Sequence, residues 1–424
     1  MERYREYKES GVKWLGEIPS HWELRKMKYT FSERSQKGFP QEPLLASTQT
    51  HGVILKSQYE NRTVEAIKSL ETLKLVEIGD FVISLRSFQG GLEYAYNRGI
   101  ISPAYTILTP THIKADYFKY LSKSDIFISL LKSTVTGIRE GQNIDYNKLK
   151  DNLLPIPSEK EQISIGSYLD TATSEIDKAI AMQQKMIDLL NERKQIIIQN
   201  AVTKGLDENV EMKESGVEWI GRIPKHWEVV RLSHLTSKIG SGSTPKAGYV
   251  ESGIIFLRSQ NVYCEGLKLN DVVHISANVH RNMSGTKVLP NDVLMNITGG
   301  SIGRCFYVDE TLGEANVNQH VSIIRPTSID THYLKYYLQS YCGQIQVSLE
   351  QTGGNREGLT AKALAKFLIT YPSQSEQKEI AAYLDSEMQR FDSAITNCQR
   401  QITLLQERKQ IIINEVVTGK VRVI

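Results

Sequence analysis

Cysteine is scarce in this chain: its four residues, Cys264, Cys305, Cys342 and Cys398, lie far apart and form no C-x-x-C pair. That spacing argues against a zinc site and against a disulfide scaffold, so free thiols in a reducing cytosol are expected. Long apolar runs are also missing. No stretch approaches the ~18 residues needed to cross a bilayer, and the opening MERYREYKES lacks the apolar centre of a signal peptide. A soluble, cytoplasmic protein is expected. Charge of one sign is lacking too, since 51 Lys and Arg against 48 Asp and Glu leave a net charge of +3. Any nucleic-acid surface must then be a local patch offset by acidic residues elsewhere.

The motifs of common catalytic sites are absent as well. Gly240-Ser241-Gly242-Ser243-Thr244-Pro245-Lys246 superficially suggests a phosphate loop, but it lacks the G-x-x-x-x-G-K-[ST] spacing and Pro245 removes a backbone N–H. No glycine fingerprint opens a βαβ unit, which leaves a methyl-donor or dinucleotide pocket unsupported. No Asn-Pro-Pro-aromatic segment occurs. Glu192-Arg193-Lys194 and Glu211-Met212-Lys213 have a nuclease-like Glu-x-Lys order, yet neither follows a strand carrying an Asp. The nine histidines show no metal-ligand spacing. No catalysis, cofactor or metal is expected in this chain.

What the chain does have, it has twice. Leu189 to Ile198 reads LLNERKQIII and Leu404 to Ile413 reads LLQERKQIII, nine matches in ten at a spacing of 215. Around them, apolar residues recur on a heptad: Leu169, Ile176, Ile180, Ile187, Leu190 and Ile197, then Leu384, Met388, Phe391, Ile395, Ile402, Leu405 and Ile412. That is the seam of a helix packed lengthwise on another helix. Lys194 and Lys409 fall on the seam, as do Gln183 and Cys398, and are expected to weaken it locally and fix its register. Each run starts at Pro-Ser-x-x-x-Gln (Pro157, Ser158, Gln162; Pro372, Ser373, Gln377), where Ser can cap a helix. Roughly 40 residues at ~1.5 Å each give a rod of about 60 Å. The two rods packing antiparallel on each other is the expected arrangement, and separate homodimer arms the alternative.

A second repeat places the globular parts. Lys8 to Glu23, KESGVKWLGEIPSHWE, returns as Lys213 to Glu228, KESGVEWIGRIPKHWE, with twelve of sixteen positions identical at a spacing of 205. The Trp residues are expected as core and docking anchors. Short β-branched runs between Gly, Asn and Pro clusters predict a mainly β pattern with short helices. The fold class is α+β, two tandem globules with two long antiparallel coiled-coil helices: 1–157, helix 158–204, 205–372 and helix 373–424.

Polar loops flanked by glycine carry residue types that pair with base edges, Arg with guanine and Asn or Gln with adenine. In the first half these are Thr48, Gln49, Arg86, Ser87, Gln89, Arg139, Gln142 and Asn143; in the second, Arg258, Gln260, Asn261, Asn296, Thr298, Arg304 and Arg356. Ordinary turns with solvated tips would have the same composition.

Two divergent globules, each introduced by W-x-G-x-I-P-x-H-W (Trp14 to Trp22, Trp219 to Trp227), lead into Glu161-Gln162 with Tyr168-Leu169-Asp170, and Glu376-Gln377 with Tyr383-Leu384-Asp385. This pattern resembles the specificity subunit of type I restriction-modification systems over essentially the whole chain. Ser241-Gly242-Ser243-Thr244-Pro245-Lys246 is similar to the S-G-x-T-P segment of their target-recognition domains, adding Ser241, Ser243, Thr244 and Lys246 as expected DNA contacts. The first half has no clear copy of it. The resemblance implies a phage-defence function in which each domain reads one half of a bipartite, asymmetric site on double-stranded DNA. The helices, related by a pseudo-two-fold axis, would set the half-site spacing. The implied partners are two modification subunits using S-adenosylmethionine to methylate adenine, and restriction subunits using ATP and magnesium. A non-catalytic scaffold binding proteins or anionic polymers is the reading of another class.

Overall fold

The computed structural model describes residues 2–59, 69–83, 92–136, 143–144, 146–246, 248–351 and 358–423. It divides into two compact units, Met1–Gln184 with Gln399–Ile424, and Lys185–Cys398. The long helices are Glu159–Lys204 and Gln374–Val417, so each unit holds one globule and a piece of both.

Both helix starts are set by a reciprocal cap. Glu161 Oε2 accepts from the Ser158 backbone N–H at 3.1 Å while Ser158 Oγ accepts from the Glu161 N–H at 3.4 Å. Ser373 and Glu376 repeat this at 3.1 and 3.3 Å. Orphan N–H groups of the first turn are thereby satisfied. The first helix ends at Gly205, whose φ of +78° is open to glycine but strained for other residues. Every seam position named above is buried or half-buried.

Within each unit the two helix segments run antiparallel. In the first, Tyr117 Oη donates to Pro155 O just before one helix and to Val417 O at the end of the other. In the second, Tyr333 Oη reaches Thr370 O and Val202 O in the same way. The seam lysines are not bare interruptions. Lys194 pairs with Asp392 at 2.5 Å in the second unit, and Lys409 pairs with Asp177 at 2.6 Å in the first.

Each globule is built on a four-stranded antiparallel sheet of the same order. In the first unit that order is Phe31–Arg34, Thr106–Pro110, Phe81–Ile83, Glu93–Tyr94; in the second it is Thr236–Ser241, Val321–Pro326, Val293–Asn296, Cys305–Tyr307. The apolar runs are continuous because both faces are covered. Val293 and Met295 enter the core shared with the helices, while Leu294 enters a second core. Phe81 and Ile83 against Val82 divide in the same way. Each fully buried Leu or Ile contributes about 1.5–3 kcal/mol.

The units differ in what covers the outer face. In the second, a mixed four-stranded sheet orders Val273–Ile275, Ile254–Leu257, Ala315–Val317 and Lys287–Val288. The corresponding strands of the first unit form two pairs, Leu45–Thr48 with Gly52–Leu55 and Lys74–Val76 with Gly99–Ile101, linked by a parallel bridge between Leu44 and Ile100. Among the described residues no helix is long and apolar enough to cross a membrane.

Candidate nucleic-acid interface

The repeated Trp block is scaffold. In the first unit His21 Nε2 lies 2.8 Å from Glu161 Oε1, and Trp22 Nε1 donates to the same oxygen at 3.4 Å. In the second, His226 and Trp227 hold Glu376 Oε1 at 2.8 and 3.2 Å. Both Trp rings are buried, as the sequence led one to expect. Burial alone would raise the Glu376 carboxyl, but hydrogen bonds from His226, Ser373 and Trp227 outweigh it and bring it down to about 2. Glu161 is lowered by the same kind of partners against the same opposing burial. The neighbouring glutamines complete the joint: Gln162 Oε1 accepts from Lys114 N–H at 2.7 Å, and Gln377 Oε1 from Asp330 N–H at 2.8 Å. The helix ends close onto the same block. A Cβ at Gly205 would sit 3.2 Å from Trp227, and one at Gly419 2.4 Å from Pro19.

A second joint escaped the sequence reading. Lys119 Nζ and Tyr120 Oη both reach Asp170 at 2.6 Å in the first unit. Lys335 at 3.3 Å and Tyr336 at 2.6 Å reach Asp385 in the second. Burial pushes the Lys335 ammonium down, opposed by Asp385. The Asp385 carboxyl is held at about 2, because His332, Tyr336 and Lys335 overcome the upward effect of burial. The signal was present as Lys-Tyr at 119–120 and 335–336, at a spacing of 216. The Asp of each Tyr-Leu-Asp marker therefore fastens globule to helix.

Beyond these joints, the second unit gathers polar loops. Strand Thr236–Ser241 runs into Gly242, where a Cβ would lie 2.0 Å from Val317 O and 2.3 Å from Asn318 O. Only glycine fits there, and the close approach is to the chain's own backbone rather than to a phosphate. Gly242 N–H donates to Val321 O at 2.9 Å, fixing the crossing. Thr244 is thus delivered to the turn 318–320. Its hydroxyl donates to Gln319 Oε1 at 2.7 Å, Gln319 Nε2 lies 3.1 Å from His320 Nε2, and His320 Nδ1 lies 2.7 Å from Thr298 Oγ1. Three loops far apart in sequence therefore share one polar edge.

The residues expected to read bases separate into two groups. Ser241, Ser243, Thr244, Lys246, Gln260 and Arg304 are exposed, and Arg258 and Thr298 half-buried. The Arg304 guanidinium lies 5.2 Å from the Tyr263 ring centre, with Lys268 Nζ over the same ring at 3.7 Å. Arg258 donates to Asp271 O at 3.2 Å, and Gln260 Nε2 to the Asp271 carboxylate at 2.7 Å.

Three others are interior, and for them base contact gives way to a structural role. Asn296 is 0% exposed and spends its amide on Ser259 O at 2.8 Å, Val262 O and Ser301 Oγ. Asn261, 1% exposed, accepts from Arg258 N–H at 2.9 Å and donates to Lys268 O and Asp271 O. Thr48, 6% exposed, donates to Gly52 O at 3.0 Å and closes its own hairpin. Buried polar groups find their partners inside: Asn261 and Thr48 do so by holding the loops, and Asn296 does so through its amide nitrogen, while its buried Oδ1 has no hydrogen-bond partner. Gln49 lies exposed in that hairpin turn, with its carbonyl 3.4 Å from Lys123 Nζ. Asn143 pairs in a short strand with Thr136. Arg86, Ser87, Gln89, Arg139, Gln142 and Arg356 lie outside the described residues.

The turns Gly79-Asp80 and Asn291-Asp292 each carry a buried carboxylate held by an arginine from a different strand. Asp80 is paired with Arg34 at 2.7 Å, and Asp292 with Arg325 at 2.7 Å. Arg34 stands on the edge strand and Arg325 on its inner neighbour, so the same anchor is reached by two routes. Among the described residues no cluster of His, Cys, Asp and Glu could hold a metal ion.

Residues 224–406 match the family described as the type I restriction modification DNA specificity domain. The second half of the chain is thus similar to the DNA specificity domain of type I restriction systems. The chain is 27% identical over 468 residues to a putative type I restriction enzyme MjaX specificity subunit of Methanocaldococcus jannaschii, covering 98% of each chain. The EcoBI specificity subunit of Escherichia coli is 25% identical over 285 residues, 63% of this chain and 60% of that one. Its fold is that of a chain solved in work on assembly and conformational transition of the type I system, with TM-score 0.74, 16% identity and 95% and 99% coverage. The specificity subunit from Thermoanaerobacter tengcongensis aligns with TM-score 0.53 at 16% identity, over 97% and 100% of the two chains. The repeated motifs of this chain thus form two joints in each unit.

Proposed function

We propose that this chain is the non-catalytic DNA-reading subunit of a type I restriction-modification complex. Each unit reads one half of a bipartite, asymmetric site on double-stranded DNA, and the long helices set the gap between half-sites. Two methyltransferase subunits using S-adenosylmethionine dock on the repeated surfaces, and restriction subunits using ATP and magnesium join that core. The observation that carries this reading is the contrast between the halves. The His-Trp-Glu and Lys-Tyr-Asp joints recur in both units with the same partners, while the Ser-Gly-Ser-Thr-Pro edge has a clear copy only in the second. Equal joints suit two equal partners, and unequal loops suit two unlike half-sites. Phosphate contacts from side chains such as Lys246 and Arg304 would position the duplex, and base edges would be read by the polar tips between them. Mapping methylated adenines in cells carrying the chain and its modification partner tests this: a split motif with two unlike halves is expected, and methylation without a motif would overturn it.

A further inference from the structure

The geometry points to Gln319 as a base-reading side chain of the second unit, presented to adenine by Thr244 and His320. This rests on the DNA-reading function proposed above and names a residue within it. Gln319 is exposed, yet its amide is held from both sides: Thr244 Oγ1 donates to Oε1 at 2.7 Å, and Nε2 stands 3.1 Å from His320 Nε2. With His320 Nε2 accepting from the amide, Nδ1 carries the ring proton and donates to Thr298 Oγ1, 2.7 Å away. The polarity of the chain is then fixed, Thr244 to Gln319 to His320 to Thr298. After these bonds the amide keeps one N–H and one oxygen lone pair. Adenine offers their complement in the major groove, an acceptor at N7 and a donor at N6.

The other amides of this cluster are less suited. Asn296 and Asn261 are interior. Gln260 is held by a single bond to the exposed carboxylate of Asp271, a charge that repels a phosphate backbone. Gln319 also loses less side-chain freedom on binding, since its rotamer is already fixed by two neighbours.

The test uses the full chain in complex with its modification subunit, selecting duplexes from a randomised library. Gln319→Ala is expected to reduce the preference for adenine at one position of one half-site by roughly 5- to 150-fold. Thr244→Val should loosen the same position by a smaller factor. The other half-site, unchanged in both variants, reports that the complex is folded. Retention of the same preference at every position in Gln319→Ala would overturn the assignment, as would an equal loss of affinity for all sequences. If the unmodified complex selects no sequence at all, the DNA-reading function itself fails, and the role of Gln319 with it.

Discussion

Lys194 pairs with Asp392 at 2.5 Å, and the two residues that stand at their repeat-equivalent positions, Lys409 and Asp177, pair at 2.6 Å in the other unit. The lysine of each helix copy is answered by the aspartate of the other copy. A polar residue on an apolar seam weakens packing but selects one register, and here it does so with a charge partner. Lys194 is 17% exposed and Asp392 52%, so the pair is partly screened. Lys194→Asp and Asp392→Lys should each destabilise the second unit, and the double exchange should recover about 0.5–1 kcal/mol of coupling in a urea double-mutant cycle. Additive losses would mean that the pair contributes nothing to register.

Acid should open the joints between globule and helix. Glu376 and Asp385 are both held at about 2 in the fold, against roughly 4.3 and 3.9 for unfolded Glu and Asp. Folded values below the unfolded ones mean stability that is fully present above about pH 4.5 and lost as pH falls toward 2. Urea midpoints measured from pH 6 down to pH 2.5 should therefore fall, and Glu376→Gln with Asp385→Asn should flatten that slope. An unchanged slope would remove these carboxylates from the joint.

Asn296→Ala is expected to act on folding rather than on base choice. Its amide holds Ser259, Val262 and Ser301 across two loops, and removing it leaves buried carbonyls unpaired at a cost of about 1–3 kcal/mol. Arg304→Ala, on an exposed side chain, should leave stability within about 0.5 kcal/mol and weaken DNA binding. Denaturation curves and binding isotherms of the two variants, compared side by side, distinguish the roles.

Gly242→Ala should distort the second unit at its most crowded crossing. The added Cβ would fall 2.0 Å from Val317 O, which the strand end accommodates only by moving the Thr244 and Gln319 loops apart. Loss of half-site selectivity together with a lowered melting temperature is expected in the assembled complex. Wild-type selectivity in this variant would show that the crossing does not position the edge.

The framework was legible because it obeys periodic rules. The seam from Leu169 to Ile197, the Ser158 and Ser373 caps and the buried Trp22 and Trp227 follow from spacing and local chemistry alone. The polar residues were not, since their roles depend on partners brought near only by folding. Asn296 and Gln319 look alike in sequence, an amide after a β run, yet one is interior and the other exposed. The repeated Lys-Tyr pair at 119–120 and 335–336 marks the second joint, but nothing local names its partners Asp170 and Asp385, some fifty residues away. Arg34 and Arg325 serve the same turn from different strands, a substitution of route that a linear alignment of the halves conceals.

The claim that two unlike readers share one duplicated frame is tested most directly by single-molecule mapping of methylated adenine in a host supplied with this chain and its modification subunit. The expected result is one bipartite motif with two different half-sequences separated by a constant unspecified gap, with one half altered by Gln319→Ala and the other untouched. A contiguous or palindromic motif, or simultaneous change in both halves, would contradict it.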